Sequence, residues 1–179
     1  MMGLVYTELL EMIETTFSFD TLDAVIARSG SRGIYTSVGD YDDAELFAIV
    51  DALSAETGVS APDLLHAYGS HLFHRFYTMY PKFFDVHSNA PSFLAGLETH
   101  VHTEVRKLYP VAQPPMFTLE TADDGTYLLD YRSRRALWKF AQGLLEACLL
   151  HYGGAHRIAG IADQSGGQGT WVRFEIVPA

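Results

Sequence analysis

The chain has 179 residues, 48% of them hydrophobic, and carries a formal charge of −10 from 12 basic and 22 acidic side chains. That length suffices for one large domain or two tightly packed lobes with a real core, and the composition excludes a disordered chain. The acidic balance argues against a nucleic-acid footprint or docking on an anionic membrane, and the lone Cys148 excludes an internal disulfide or a thiolate-rich zinc site.

The opening MMGLVYTELLEMIETTF carries Glu8, Glu11 and Glu14 and no basic leader, so it does not read as a signal peptide. No apolar run approaches the ~20 residues that span a bilayer. A soluble cytoplasmic protein in a reducing compartment is the expectation. Residues 3–17 place Leu4, Val5, Leu9, Met12, Ile13 and Phe17 at helical spacing. Asp20 is the expected cap of a second helix through Ile26, closed by Gly30. GSRGIYTSVGD, residues 30–40, is a loop with an extended Ile34–Tyr35. Asp42 or Asp43 opens a helix through Leu53, and Ser60 with Asp63 starts another towards Tyr80, with a kink or break expected at Gly69 and a stop at Pro81. After a loop over residues 82–90, Pro91 begins a helix whose apolar stripe is Leu94, Leu97, Val101, Val105 and Leu108. Beyond Pro114 and Pro115 the period changes. MFTLETADDGTYLLDY alternates around Asp124–Gly125 as a hairpin. Residues 134–152 read as a long helix, and residues 156–163 and 170–177 as a second hairpin across SGGQG, with Val172, Phe174 and Ile176 on one face. Helices followed by β-β-α-β-β predict an α+β fold with an antiparallel sheet packed by a helix.

The chemistry concentrates in two places. YRSRR sets Tyr131, Ser133 and Arg135 at alternate positions before a helical pattern, with Arg134 among them. Ser133 has two readings, a helix N-cap or part of an anion clamp in which guanidinium and hydroxyls hold one or two carboxylates or phosphates. Of the eight histidines, His71 and His74 lie one turn apart with no third ligand at helical spacing. His100 and His102 cannot share a helix face, so one of them faces water. His102 lies beside the Val101 and Val105 stripe, where a buried imidazole needs a partner, either backbone or a metal ion. No P-loop, nucleophile elbow or dinucleotide fingerprint is present. Cys148 reads as a small buried apolar residue.

The helical histidine opening HTEVRKLYPVAQPP, with Tyr-x-Ser-x-Arg 29 residues after it, resembles the H-NOX family, the haem nitric oxide/oxygen binding domains related to the haem domain of soluble guanylate cyclase. The resemblance takes in the MMGLVYTEL opening, YTSVGDYDD, LLHAYGSHLF and nearly the whole length, and it is nearest to the stand-alone bacterial type. It implies a single domain over residues 1–179. Residues 1–60 or so would form a helical lobe, and the rest would hold the haem-ligating helices and a four-stranded antiparallel sheet, with haem b between. It implies His102 as the iron ligand and Tyr131, Ser133 and Arg135 as holders of the propionates. Pro115, with Pro114 beside it, and Val5 would press on the macrocycle.

The same resemblance implies the gas. Members that bind O2 carry a distal tyrosine, and the matching position here is Phe140; Leu9 matches another distal position. Both are apolar, which implies a sensor for nitric oxide, also able to bind CO, rather than for O2, unless Tyr6, Tyr77 or Tyr152 reaches the pocket. Release of the helix carrying His102 would signal to a separate histidine kinase or diguanylate cyclase. An O2 sensor of the same fold is the alternative; an enzyme lacks a distal histidine–arginine pair at readable spacing.

Overall fold

The computed structural model describes residues 1–110, 112–166 and 169–179. Expectations for the Leu108 side chain and for Gly167 and Gln168 in the second hairpin loop fall outside the described residues.

Four helices come first: α1 (Gly3–Thr16), α2 (Phe19–Ser29), α3 (Asp43–Thr57) and α4 (Ala61–Met79). α1 buries Leu4, Leu9, Met12 and Ile13 as its spacing predicts. Ser18, not Asp20, caps α2, accepting the Thr21 N–H, and the helix runs on to Ser29 before Gly30 ends it in a left-handed turn. Asp20 falls one residue inside the helix, where its charge still favours the N-terminal dipole. Asp42 caps α3, which continues one turn past Leu53 to Gly58. Ile34 and Tyr35 form no strand; the one bridge nearby joins Met2 and Asp40. α4 starts at the Ser60 cap and passes unbroken through Gly69. That glycine serves packing, not bending: an added Cβ would lie 2.1 Å from the Phe140 carbonyl oxygen.

The loop expected after Pro81 contains a one-turn helix, α5 (Lys82–Asp85). The single helix expected from Pro91 is three pieces: α6 (Ala90–Gly96), a π-helical turn (Leu97–Val101) and α7 (His102–Leu108). Here the His102 N–H bonds to the Leu97 carbonyl, five residues back. Widened turns of this kind concentrate at functional sites. Periodicity cannot reveal the extra residue, because the apolar stripe continues on both sides of it.

The sheet has four antiparallel strands in the order β1-β2-β4-β3: β1 (Met116–Thr121), β2 (Tyr127–Ser133), β3 (His156–Asp163) and β4 (Thr170–Pro178). The β1–β2 turn holds Gly125 at φ 85°, as the Asp124–Gly125 signal requires. Val172, Phe174 and Ile176 of β4 are buried and face α8 (Trp138–His151). On the opposite side Asp130 takes two hydrogen bonds from Arg173, at 2.6 and 2.9 Å.

Two apolar cores result. The first gathers Tyr6, Leu9, Ile13, Ile49 and Leu53 with Tyr68 and Leu72 of α4; the second gathers Phe84, Leu129, Tyr131, Leu145 and Phe174. Fully burying each such side chain is worth about 1.5–3 kcal/mol. α4 joins both cores, since Phe73 packs in the second. Buried Glu8 of α1 is neutralised by Arg75 of α4, as a buried charge requires. Among the described residues no helix is long and apolar enough to cross a membrane.

Candidate functional site

A large cavity opens between the two cores. Its volume is about 270 Å³, and its walls are overwhelmingly apolar. A concave, mostly apolar cavity with a few polar groups at one end is the usual form of a ligand or cofactor site. Helices α1, α4 and α8 contribute Val5, Leu72, Phe73, Phe76, Phe140 and Leu144 to its lining. The lining also takes Leu97 and Val101 from the π-helical turn, His102 and Val105 from α7, Pro115, and Phe117 from β1. Tyr131, Ser133 and Arg135 also line it. The cavity therefore brings together every site residue expected from sequence except Leu9, which lies in the first core and not on the cavity wall.

His102 is the one histidine on the wall. Its side chain is 13% exposed, while His100 is exposed, so the two point apart as their spacing demands. His102 Nδ1 bonds to Glu98 Oε1 at 2.7 Å. That bond fixes the proton on Nδ1 and leaves Nε2 as the lone-pair nitrogen, the arrangement of a metal-ligating imidazole. Glu98 is held on all sides: Oε1 also accepts the Phe117 N–H at 3.0 Å, and Oε2 accepts from Arg106 at 3.0 Å. Burial alone would raise the Glu98 carboxyl, but the Phe117 N–H, His102 and Arg106 outweigh it and hold it below the ordinary value. Burial likewise keeps His102 below the usual imidazole value, with Glu98 opposing the shift only in part. A neutral imidazole with a free Nε2 is what the cavity presents. The rings of His102, Phe117 and Tyr131 follow one another at 5.9 and 5.5 Å, linking the imidazole to the polar end of the site.

At that end Ser133 closes β2 and does not cap α8. Its hydroxyl accepts the Arg135 N–H at 3.0 Å, tying residues 133–135 into a turn, so α8 begins only at Trp138 with no side-chain cap. The Tyr131 hydroxyl points to the Arg135 carbonyl at a long 3.5 Å. The Arg135 guanidinium donates through Nε to Asp43 at 2.6 Å and through Nη1 to the Gln113 carbonyl at 2.7 Å. Asp43 also pairs with the Met1 ammonium at 3.2 Å. Arg135 thus joins the start of α3 to the bend after β2. Arg134 is exposed.

Tyr131 is the sole tyrosine lining the cavity among the described residues. Tyr6 donates to the Asp42 carbonyl, Tyr152 to the Phe84 carbonyl and Tyr68 to the Val5 carbonyl. None of these hydroxyls, nor Tyr77, reaches the space across from His102. Cys148 lines the cavity floor, buried, with its thiol pushed up to about 12 by burial. His71 carries a buried Nε2 without a partner, and no group of three metal-ligating side chains occurs among the described residues.

Glu98, Asp43 and Gln113 escaped sequence reading. Glu98 had a signal, a carboxylate four residues before a helical histidine; Asp43 pairs with Arg135 across 92 positions and had none.

The residues present suit haem: a lone-pair imidazole, an apolar lining, and an arginine, serine and tyrosine able to hold carboxylates. The Haem-NO-binding family model matches residues 2–159. The fold is similar to the Fe(II) unliganded H-NOX protein of K. algicida, at 33% identity and TM-score 0.90, covering 100% of this chain and 97% of that one. It is similar to the H-NOX of Shewanella woodyi, solved bound to IWP-051 in the Fe(II)CO state, at 34% identity and TM-score 0.83, covering 100% and 95%. The S. oneidensis H-NOX in the Fe(II)NO state shares the fold at 22% identity and TM-score 0.87, covering 100% and 99%. No curated protein matches the chain. With its match over residues 2–159 and full-length likeness to solved members, the chain belongs to the H-NOX family of haem-binding gas-sensor domains.

Proposed function

We propose that this chain senses nitric oxide at ferrous haem b and passes the event to a signalling protein such as a histidine kinase or diguanylate cyclase. The observation that carries the reading is the cavity itself: its lining is almost wholly apolar, with His102 as the lining imidazole and Phe140 at the position where the resemblance puts a tyrosine in O2-binding members. Haem supplies a ferrous iron that binds diatomic gases, and the surrounding residues select among them. The likeness to a ferrous member and to a CO-ligated member, both above 30% identity, supports that chemistry.

The chain's own residues divide the work. His102 would hold the iron from α7. Arg135, Ser133 and Tyr131 would hold the propionates, with Arg135 already set by Asp43 and Gln113. Val5 and Pro115, both on the cavity lining, would press on the macrocycle. Phe140 and its apolar neighbours withhold the donor that bound O2 needs. A hydrogen bond to a charged acceptor is worth ~1.5–3 kcal/mol, about one to two decades of affinity. His102 would couple the iron to the π-helical turn and α7, the elements through which gas binding would be passed on. Such a shift would require different affinity for the two states, to which contacts of Val5 and Pro115 with the bound group would contribute.

Phe140→Tyr tests the selectivity. The wild-type ferrous protein is expected to form no stable O2 complex in air, and the variant to gain one. A stable oxygen complex in the wild type would overturn the assignment and favour the O2-sensing alternative.

A further inference from the structure

We propose that Glu98 is the positioning residue that sets how strongly His102 binds iron, with Arg106 as its attenuator. The inference rests on the haem reading above and extends it to residues that do not touch the cofactor.

A ligating histidine usually gives its second N–H to a carbonyl, a water or a carboxylate, and the choice tunes the ligand. Here the acceptor is a carboxylate at 2.7 Å, four residues before His102 and inside the π-helical turn. A bond to an ionised acceptor is about twice as strong as a neutral one. It draws the Nδ1 proton towards Glu98 and leaves more negative charge on the ring, which makes Nε2 a better donor to a metal. The carboxylate is not free to swing. Oε1 is shared with the Phe117 N–H at the start of β1, and the Thr103 hydroxyl bonds the Glu98 carbonyl at 2.9 Å. Its orientation is therefore fixed by two elements at once, the π-helical turn and the sheet.

Arg106 acts on the other oxygen. Its Nη2 lies 3.0 Å from Oε2, and its side chain is 44% exposed. A guanidinium there withdraws charge from the carboxylate and so from the imidazole. The pair forms a graded control: Glu98 strengthens the ligand, and Arg106 limits that strengthening. A bond of intermediate strength suits a ligand that must hold iron at rest and let go on signal. Arg106 lies on α7, the helix that would move, so its grip on Glu98 changes with the same movement.

The test compares wild type, Glu98→Gln and Arg106→Gln. In the apoproteins, nitrogen NMR of His102 reads the tautomer without any cofactor. Wild type is expected to hold the proton on Nδ1, and Glu98→Gln to show a mixture. In the ferrous haem proteins, resonance Raman reads the iron–imidazole stretch, and titration reads the midpoint potential. Glu98→Gln is expected to lower the stretch, raise the potential and weaken haem affinity about 10- to 100-fold, the usual effect of losing such a partner. Arg106→Gln is expected to do the reverse for stretch and potential. The amide introduced by Glu98→Gln retains an acceptor for the Phe117 N–H, and half-exposed Arg106 gives a second probe should the first variant fold poorly. An unmoved stretch in both variants, or shifts in the same direction, would overturn the proposal. A protein that shows the Nδ1 tautomer yet takes up no haem would instead sink the haem reading, and this proposal with it.

Discussion

Gly143→Ala is expected to destabilise the protein by driving apart α4 and α8. The two helices cross so closely that each needs a glycine: the new Cβ on residue 143 would lie 2.0 Å from the His66 carbonyl oxygen and 3.0 Å from the Ser70 nitrogen. Gly69 reciprocates, facing the Phe140 oxygen at 2.1 Å and the Leu144 nitrogen at 2.9 Å. These are backbone atoms, so no rotamer change relieves the clash, and ordinary contact requires the helices to part by roughly 1 Å or more. Overpacking costs about 1–3 kcal/mol, and a rigid backbone clash belongs at the upper end. The better helix propensity of alanine offsets about 1 kcal/mol. A net loss near 2 kcal/mol remains, which for a chain of this size lowers Tm by about 4–8 °C. Thermal melting of the apoprotein by circular dichroism reads it directly. Gly69→Ala should behave alike, and the double variant should lose less than the sum, because parted helices admit the second methyl at little further cost. A Tm at or above wild type in both single variants would refute the close-crossing argument.

The Asp43–Arg135 pair predicts a pH dependence. Burial alone would raise the Asp43 carboxyl, but the Arg135 guanidinium and the Met1 ammonium outweigh it and hold it below the usual carboxylate value. A depressed carboxyl contributes stability that is complete above its unfolded value and is lost as pH falls through the folded one. Urea midpoints between about pH 2 and pH 6 should therefore fall more steeply at the acid end for wild type than for Asp43→Asn; parallel curves would contradict it. Buried Cys148, its thiol pushed up to about 12, should react with an aromatic disulfide only after unfolding. Fast labelling of the native protein would show that the cavity floor is open.

Much of the fold was legible because its signals are local. Alternation around Asp124–Gly125, the Ser60–Asp63 start of α4 and the Val172–Phe174–Ile176 face each need only a few neighbouring residues to be read. The misreadings share a different cause. Asp20 looked like a cap, but Ser18 two residues earlier offered the same chemistry, and only backbone geometry chooses between them. The π-helical turn before His102 inserts one residue without disturbing the apolar stripe, so a periodic reading passes over it. Ser133 fits a cap in sequence, yet its hydroxyl turns back to the Arg135 N–H, and the helix starts later. At the site, residue types were visible and partnerships were not. Arg135 announces an anion, but nothing in sequence ties it to Asp43; Gly69 suggests a break, and its role depends on a helix more than seventy positions away.

The measurement that bears most directly on the central claim is the absorption spectrum of the dithionite-reduced haem protein, desalted and exposed separately to air and to nitric oxide. A five-coordinate ferrous spectrum that air leaves unchanged, and that nitric oxide converts to a five-coordinate nitrosyl form, is the predicted result; it would mean that His102 holds iron at rest and yields it to the gas. A stable oxygen complex in air, or a protein that takes up no haem at all, would contradict the account.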